Sequence, residues 1–420
     1  MKVIFLYSRE NRYSFNALAG ALEKTPEIFS CIDLVFASSE KDLLEELKNV
    51  NSQKTVICLS YSTMQIEEMH ATVKAIKSAS KEAFIIAGGP HPSGNPYNSL
   101  EAGIDVVVRG EGEILFPELL WKILRDEDIY QIQGIAYLNK ENEYIYNKKE
   151  HTLIEIDDFA PFSERFRKFG PIEITRGCPF ACKYCQTSFL LGTKPRHRSV
   201  ESILEHVAMM KKNNLYDFRV ITPNAFSYAS PDGRQLNLLE LERLLFSVKN
   251  TLGEKGRIFF GSFPSEVRPE HVTEETLSIA KQYIKNDNLI IGAQTGSRNL
   301  LKDIHRQHSL EDVYIAVDLA RKYDFKVNID FIFGLPNETE NDVKDTLEMI
   351  KNLHNLYNTK GQANKVKIHG HTFMPLPQTP FKNEKGGQLS LSLKKELQRL
   401  QSSQILYGEW EKQDKFGSKL

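Results

Sequence analysis

Three of the chain's five cysteines crowd into one segment, Cys178-Pro179-Phe180-Ala181-Cys182-Lys183-Tyr184-Cys185, a C-x3-C-x2-C spacing. Three thiolates on one short loop can wrap three irons of a cubane 4Fe-4S cluster, whereas a closed electron-transfer cluster takes four cysteines. One iron is then left open to a further ligand. A zinc site would want four ligands in paired C-x2-C or C/H spacing, and the nearest histidine, His197, lies twelve residues beyond Cys185. The remaining cysteines are Cys31 and Cys58, the latter inside an apolar run that reads as a buried strand. An odd count of five, so clustered, does not read as a secreted disulfide framework.

A ligand loop of this kind depends on the elements that aim it. The cysteines follow the first strand of a β/α series, with strands expected near 171–175, 218–221, 257–261, 289–293, 326–333 and 366–373. Helices at 200–212, 237–251, 274–283, 310–323 and 340–354 separate them. Six such units in sequence imply a (β/α)6 partial TIM barrel with its site at the carboxyl ends of the strands. Ahead of it, strands at 3–7, 32–36, 55–59, 83–87 and 105–108 alternate with helices at 16–23, 40–48, 66–78 and 114–124. That alternation predicts an N-terminal doubly wound, Rossmann-like parallel sheet, so the fold class is α/β throughout. Residues 133–149 read as a β-hairpin and 157–162 as a linker. The expected domains are therefore 1–130, a hairpin and linker at 131–170, the barrel at 171–382 and a helical segment at 383–420, with Leu393, Leu397 and Leu400 on one stripe.

The cysteine spacing, with Tyr184 before the third cysteine and a strand end just before the first, resembles the signature of radical S-adenosylmethionine (SAM) enzymes. Further segments extend the resemblance: Ile291-Gly292-Ala293-Gln294-Thr295-Gly296-Ser297, then Arg306 and His308, then Asp330 to Thr339, then Phe373 to Pro380. They are similar to the fourth, fifth and sixth strand ends of radical SAM enzymes close to the methylthiotransferases. The resemblance implies a 4Fe-4S cluster on Cys178, Cys182 and Cys185 whose open iron binds SAM, and reductive cleavage of SAM to a 5′-deoxyadenosyl radical. Tyr184, Asn224, Ser262, Gln294 and Arg306 are the expected SAM-binding residues. Gln294 at a strand end can hydrogen-bond ribose hydroxyls, and the Gly334-Leu335-Pro336 turn lets backbone approach an adenine edge. The Gly-Gly-Glu segment many members carry after the second strand is replaced by Ile221-Thr222-Pro223-Asn224-Ala225-Phe226, which makes Asn224 the stand-in. Gln378 occupies the glycine of the related Pro-Gly-Thr-Pro turn.

In the first domain, Ser60 and Ser62, Gly88 and Gly89, and Gly110 and Glu111 follow the third, fourth and fifth strands. These loops resemble the cobalamin-binding domain fused ahead of many radical SAM enzymes, which implies cobalamin as a third cofactor. The Asp-x-His-x-x-Gly motif that supplies a cobalt-ligating histidine elsewhere is absent, since the first loop reads Ser8-Arg9-Glu10-Asn11-Arg12-Tyr13. His91, between two prolines, reads as structural. The methylthiotransferases carry a different N-terminal domain and a C-terminal RNA-binding barrel, so the resemblance favours the cobalamin-fused class.

Across 420 residues, 54 Lys and Arg meet 55 Asp and Glu, which leaves no global field for nucleic acid. Between Arg165 and Arg198, however, eight basic residues face one acid, Glu173. Such a patch suits a thiolate cluster or an anionic substrate and is equally a solvated face. The apolar run at 3–7 is too short for a signal peptide or a membrane span, so the expectation is a cytoplasmic protein without membrane contact. The whole implies a radical SAM enzyme, a cobalamin-dependent methyltransferase acting on an unactivated carbon of a small-molecule, peptide or RNA substrate. It would take electrons from an external donor such as flavodoxin or ferredoxin. The alternatives are a methylthio- or sulfur transferase on RNA or protein, and a non-catalytic iron–sulfur protein.

Overall fold

In the N-terminal strands apolar side chains run without interruption because both faces of the sheet are covered. The structure, a computed structural model, describes residues 1–48, 54–148, 153–358 and 365–419. Its first compact unit is Met1–Gly170 and its second Pro171–Leu420. In the first, β1 (Lys2–Leu6), β2 (Asp33–Ala37), β3 (Thr55–Ser60), β4 (Phe84–Gly88) and β5 (Val106–Val108) are parallel. β6 (Ile135–Leu138) and β7 (Tyr144–Tyr146) extend the sheet as an antiparallel hairpin, in the order β2-β1-β3-β4-β5-β6-β7. Along β1, Val3 and Phe5 enter one core with Phe15 and Leu119, while Ile4 and Leu6 enter the other with Val73 and Ile76. The hairpin turns at Asn142, in the left-handed region at φ 60°, and Lys149, the last residue of the expected hairpin, lies outside the described residues.

In the second unit, β8 (Ile172–Glu173), β11 (Asp217–Ile221) and β12 (Arg257–Phe259) form one parallel sheet. β13 (Asn288–Gln294), β14 (Lys326–Phe333) and β15 (Val366–Thr372) form the next. Parallel bridges Ile258↔Ile284 and Val267↔Ile291 link the two into one arc. Crossover helices Val200–Lys212, Leu238–Leu252, Glu274–Tyr283 and Leu310–Lys322 start where a side chain accepts the free N–H of the first turn: Ser199, Asn237, Thr273 and Ser309. Helix Glu340–Asn358 follows β14.

Two local expectations change. The strand foreseen at 171–175 divides, because Thr175 and Arg176 leave β8 as β9 (Thr175–Arg176) to pair antiparallel with β10 (Arg196–His197). The segment 383–420 is not helical throughout. After helix Leu391–Ser402 it adds β16 (Leu406–Tyr407), parallel to β15, and then helix Trp410–Gly417. Thr372 at the end of β15 donates its N–H to Gln413 Oε1 at 2.8 Å and its hydroxyl to the Trp410 carbonyl at 2.9 Å, so this segment completes the wall behind β15. A two-residue strand has too little pattern to read from sequence.

Candidate active site

The cysteine loop begins where Gly177 takes φ 87°; a Cβ there would lie 2.6 Å from the Lys194 carbonyl. Cys178 donates its N–H to the Gly192 carbonyl at 3.1 Å, and Ala181 turns the loop in the left-handed region at φ 47°. Ser188 clasps the loop from inside: its hydroxyl donates to the Cys178 carbonyl at 2.7 Å and accepts the Ala181 N–H at 3.2 Å. Lys183 donates its N–H to the Ile304 carbonyl at 3.0 Å, tying the loop to the turn that carries Arg306.

All three cysteines line one cavity of about 300 Å³ together with Tyr184, Glu266, Arg268, Gln294, Arg306, Asp330 and His371. Burial pushes the Cys178 thiol up, and the Arg268 and Arg306 cations pull it back. Burial pushes Cys185 up to about 11. Arg306 Nη1 is 3.9 Å from Cys182 Sγ, and its Nη2 donates to the Gly292 carbonyl at 2.7 Å. Burial opposes the Arg306 charge, but Tyr184, Cys182 and Glu266 hold it in place. Gln294 stands at the end of β13, after a break in register, at φ 73°. A non-glycine residue held in that region at a cavity wall stores strain that the surroundings must hold. Gly292 makes room for both side chains: a Cβ on it would lie 2.6 Å from Arg306 Nη2 and 2.6 Å from Gln294 Nε2. Enclosure pushes the Glu266 carboxyl up to about 7, against the Arg306 cation.

Deeper along the strands, Asp330 and His369 are register partners on β14 and β15, and the Asp330 carboxylate accepts from His369 Nδ1 at 3.0 Å. Tyr407 stacks on His369 at 4.7 Å between centroids. Burial drives His371 down to about 4, so it is neutral near pH 7.

Of the residues expected at SAM, the structure gathers Tyr184, Gln294 and Arg306 with the cysteines. Asn224 and Ser262 do not line that cavity. Asn224 is buried, its side chain bonded to the His271 ring and its Oδ1 accepting the Arg268 N–H at 3.1 Å. It thereby holds the Arg268 backbone. Ser262 is buried in a turn whose carbonyl accepts from the Ser265 N–H and hydroxyl at 3.0 Å. Glu266, Arg268, Asp330 and His371 were not foreseen. Their signal was present: charged or polar side chains at alternate positions of otherwise apolar strands and strand ends.

In the first unit, Ser60 and Gly88 are partners at the carboxyl ends of β3 and β4. Gly89, at φ 89°, would place a Cβ 2.7 Å from Ser60 Oγ, and Gly110, at φ 81°, has open space where its Cβ would be. Two expected residues are occupied elsewhere. Ser62 donates its N–H and hydroxyl to Gln65 Oε1 at 3.0 and 3.1 Å as a helix-start residue. Glu111 is buried, its Oε2 accepting the Ile154 N–H at 2.9 Å. His91 is structural as expected, its ring bridging Thr63 Oγ1 at 3.2 Å and Asn98 Oδ1 at 3.1 Å.

With this geometry in hand, comparison with known proteins assigns the two units. Residues 172–350 match the Radical SAM superfamily and residues 8–120 match the B12 binding domain. The second unit thus contains a radical SAM domain. A B12-binding domain precedes it in the sequence, in the first unit. An uncharacterized methyltransferase of Pyrococcus horikoshii is 24% identical over 71% of this chain, and the match spans 64% of that relative's length. The threonylcarbamoyladenosine tRNA methylthiotransferase MtaB of Thermotoga maritima is 24% identical over 77% of this chain and 67% of its own. Among solved structures, the radical SAM methyltransferase TsrM from Kitasatospora setae superposes with a TM-score of 0.69 at 16% identity, covering 91% of this chain and 77% of its own.

A radical SAM domain implies a 4Fe-4S cluster and SAM, and a B12-binding domain implies cobalamin. The residues present fit these groups. Three thiols share one cavity with two buried guanidinium groups, the donor set and counter-charge that an anionic cluster with one open iron requires. Ser60, Gly88, Gly89 and Gly110 leave a strand-end edge without bulk, against which a large cofactor can lie. Among the described residues no helix is long and apolar enough to cross a membrane.

Proposed function

We propose that the protein is a cobalamin-dependent radical SAM methyltransferase that acts on an unactivated carbon. The observation that carries this reading is the single cavity joining Cys178, Cys182 and Cys185 to Tyr184, Gln294 and Arg306, in a chain that also has a B12-binding domain. When bound, a 4Fe-4S cluster supplies the electron that cleaves SAM, and cobalamin supplies a carrier for the methyl group. The protein's own work is positioning and exclusion of water. Cys178, Cys182 and Cys185 hold the cluster in a loop fixed by Ser188. Arg306 and Gln294, packed against Gly292, offer a cation and an amide to the carboxylate and ribose of SAM. Ile332, Phe373, Met374 and Leu376 line the same cavity and keep it apolar where a radical must be protected. Ser60, Gly88, Gly89 and Gly110 face the corrin or its nucleotide tail. The substrate is a small molecule, a peptide or an RNA, and the electron comes from an external flavodoxin or ferredoxin.

The test is anaerobic reconstitution with iron, sulfide and hydroxocobalamin, followed by iron and corrin quantitation and assay of 5′-deoxyadenosine with dithionite and SAM. About four irons with one corrin, and SAM cleavage lost in Cys182→Ala, are the expected results. Cleavage without corrin would shift the reading to sulfur transfer; no cleavage would leave an iron–sulfur protein without catalysis.

A further inference from the structure

Arg268 is a buried cation with two unspent donors. Its side chain is 3% exposed, and its Nη1 and Nη2 are buried without a hydrogen-bond partner among the described residues. Among the described residues only its Nε is engaged, by Glu270 Oε1. The guanidinium lies 3.5 Å from the ring centre of Phe180, the residue between Cys178 and Cys182 in the loop, and it lines the cavity that holds all three cysteines. Asn224 Oδ1 accepts the Arg268 N–H at 3.1 Å, so the backbone there is held from behind. Arg306, the other guanidinium of the cavity, has already committed Nη2 to the Gly292 carbonyl. A buried cation with orphaned donors is costly unless an anion completes it.

We propose that Arg268 is a positioning cation for the cluster itself, raising the reduction potential of the 4Fe-4S couple. This rests on the reading that the cysteine loop carries that cluster. Reduction adds one electron from an external reductant to the cluster, and the added negative charge is stabilised by a fixed positive charge in a low-dielectric wall. Cluster potentials respond to net charge and to hydrogen bonds at sulfur, and Arg268 can supply both. Glu270, the carboxylate beside it, opposes the effect.

The experiment is an EPR-monitored redox titration of the reconstituted full chain in the absence of SAM. In Arg268→Met the ratio of reduced to oxidised cluster at a fixed potential falls at least tenfold, a displacement of about 59 mV to more negative potential for a one-electron couple. Arg268→Lys stays within about threefold of wild type, since the charge remains. Glu270→Gln moves the ratio the opposite way. A wild-type midpoint in Arg268→Met overturns the inference, as does a shift of Arg268→Met and Glu270→Gln in the same direction, which marks a general disturbance. A shift that appears only when SAM is added assigns Arg268 to the SAM carboxylate and equally overturns it. Should Arg268→Met fail to assemble a cluster, Glu270→Gln decides: a rise in the ratio of reduced to oxidised cluster with Arg268→Lys near wild type supports the inference, and an unchanged or lowered ratio in Glu270→Gln overturns it. A wild-type chain that assembles no cluster overturns the underlying reading instead.

Discussion

Gly292 is the residue on which the cavity's polar wall turns. With no side chain it allows Arg306 and Gln294 to meet across it, and a Cβ would displace atoms 2.6 Å away on both. Gly292→Ala is expected to lower reductive SAM cleavage at least about tenfold while leaving cluster iron content unchanged, because misplacing binding groups by about 1 Å is enough to cost 10²-fold. Glu266 makes a second prediction. Its folded carboxyl titrates near 7 against an ordinary value of 4.5, so the folded state binds the extra proton between those values. Stability relative to Glu266→Gln is therefore unaffected below 4.5 and declines as pH rises to 7, by about 1.4 kcal/mol per pH unit traversed. Thermal unfolding of the two proteins from pH 4 to 8 measures the gap; a constant gap would contradict it. Sequence alone pointed to Cys178, Cys182, Cys185, Tyr184, Gln294 and Arg306, which the structure gathers at one cavity, because each sits in a local motif whose spacing suggests the chemistry. It did not disclose the partners of Asn224 and Glu111, the His271 ring and the Ile154 N–H, because a buried amide or carboxylate takes whatever backbone donor or ring the tertiary fold brings to it, and spacing does not encode that partner.

At the scale of elements, the strands and helices were legible to within a few residues wherever the apolar pattern was long. Helix Glu40–Lys48 and strand Lys326–Phe333 end where their patterns end. The C-terminal segment was not legible in the same way. β16 contributes two residues, and helix Trp410–Gly417 has a weak stripe anchored mainly by one side chain. Trp410 is 1% exposed, donates Nε1–H to Gln401 Oε1 at 3.1 Å and offers its carbonyl to Thr372. Trp410→Ala is expected to cost about 3–5 kcal/mol, read from the midpoint of urea unfolding. A loss under about 1 kcal/mol would mean that the helix merely rests on the surface.

For the molecule as a whole, two compact units each carry one of the two proposed cofactor-binding sets, at the carboxyl ends of parallel strands. Cofactor loading is accordingly expected to separate by mutation. Cys182→Ala loses iron and retains corrin, whereas Gly89→Val loses corrin and retains about four irons. Quantitation of both in each variant checks this, and joint loss in both would refute separability. The pairing of β16 with β15 has a further consequence in time. A ribosome delivers Cys178 to Cys185, then the barrel strands, and only much later Leu406, Trp410 and Gln413, the residues that back the wall at Thr372 and His371. The pocket is thus closed last, by residues more than two hundred positions after the metal loop, and a nascent or clipped chain presents its thiols in a chamber whose rear wall has not yet been built.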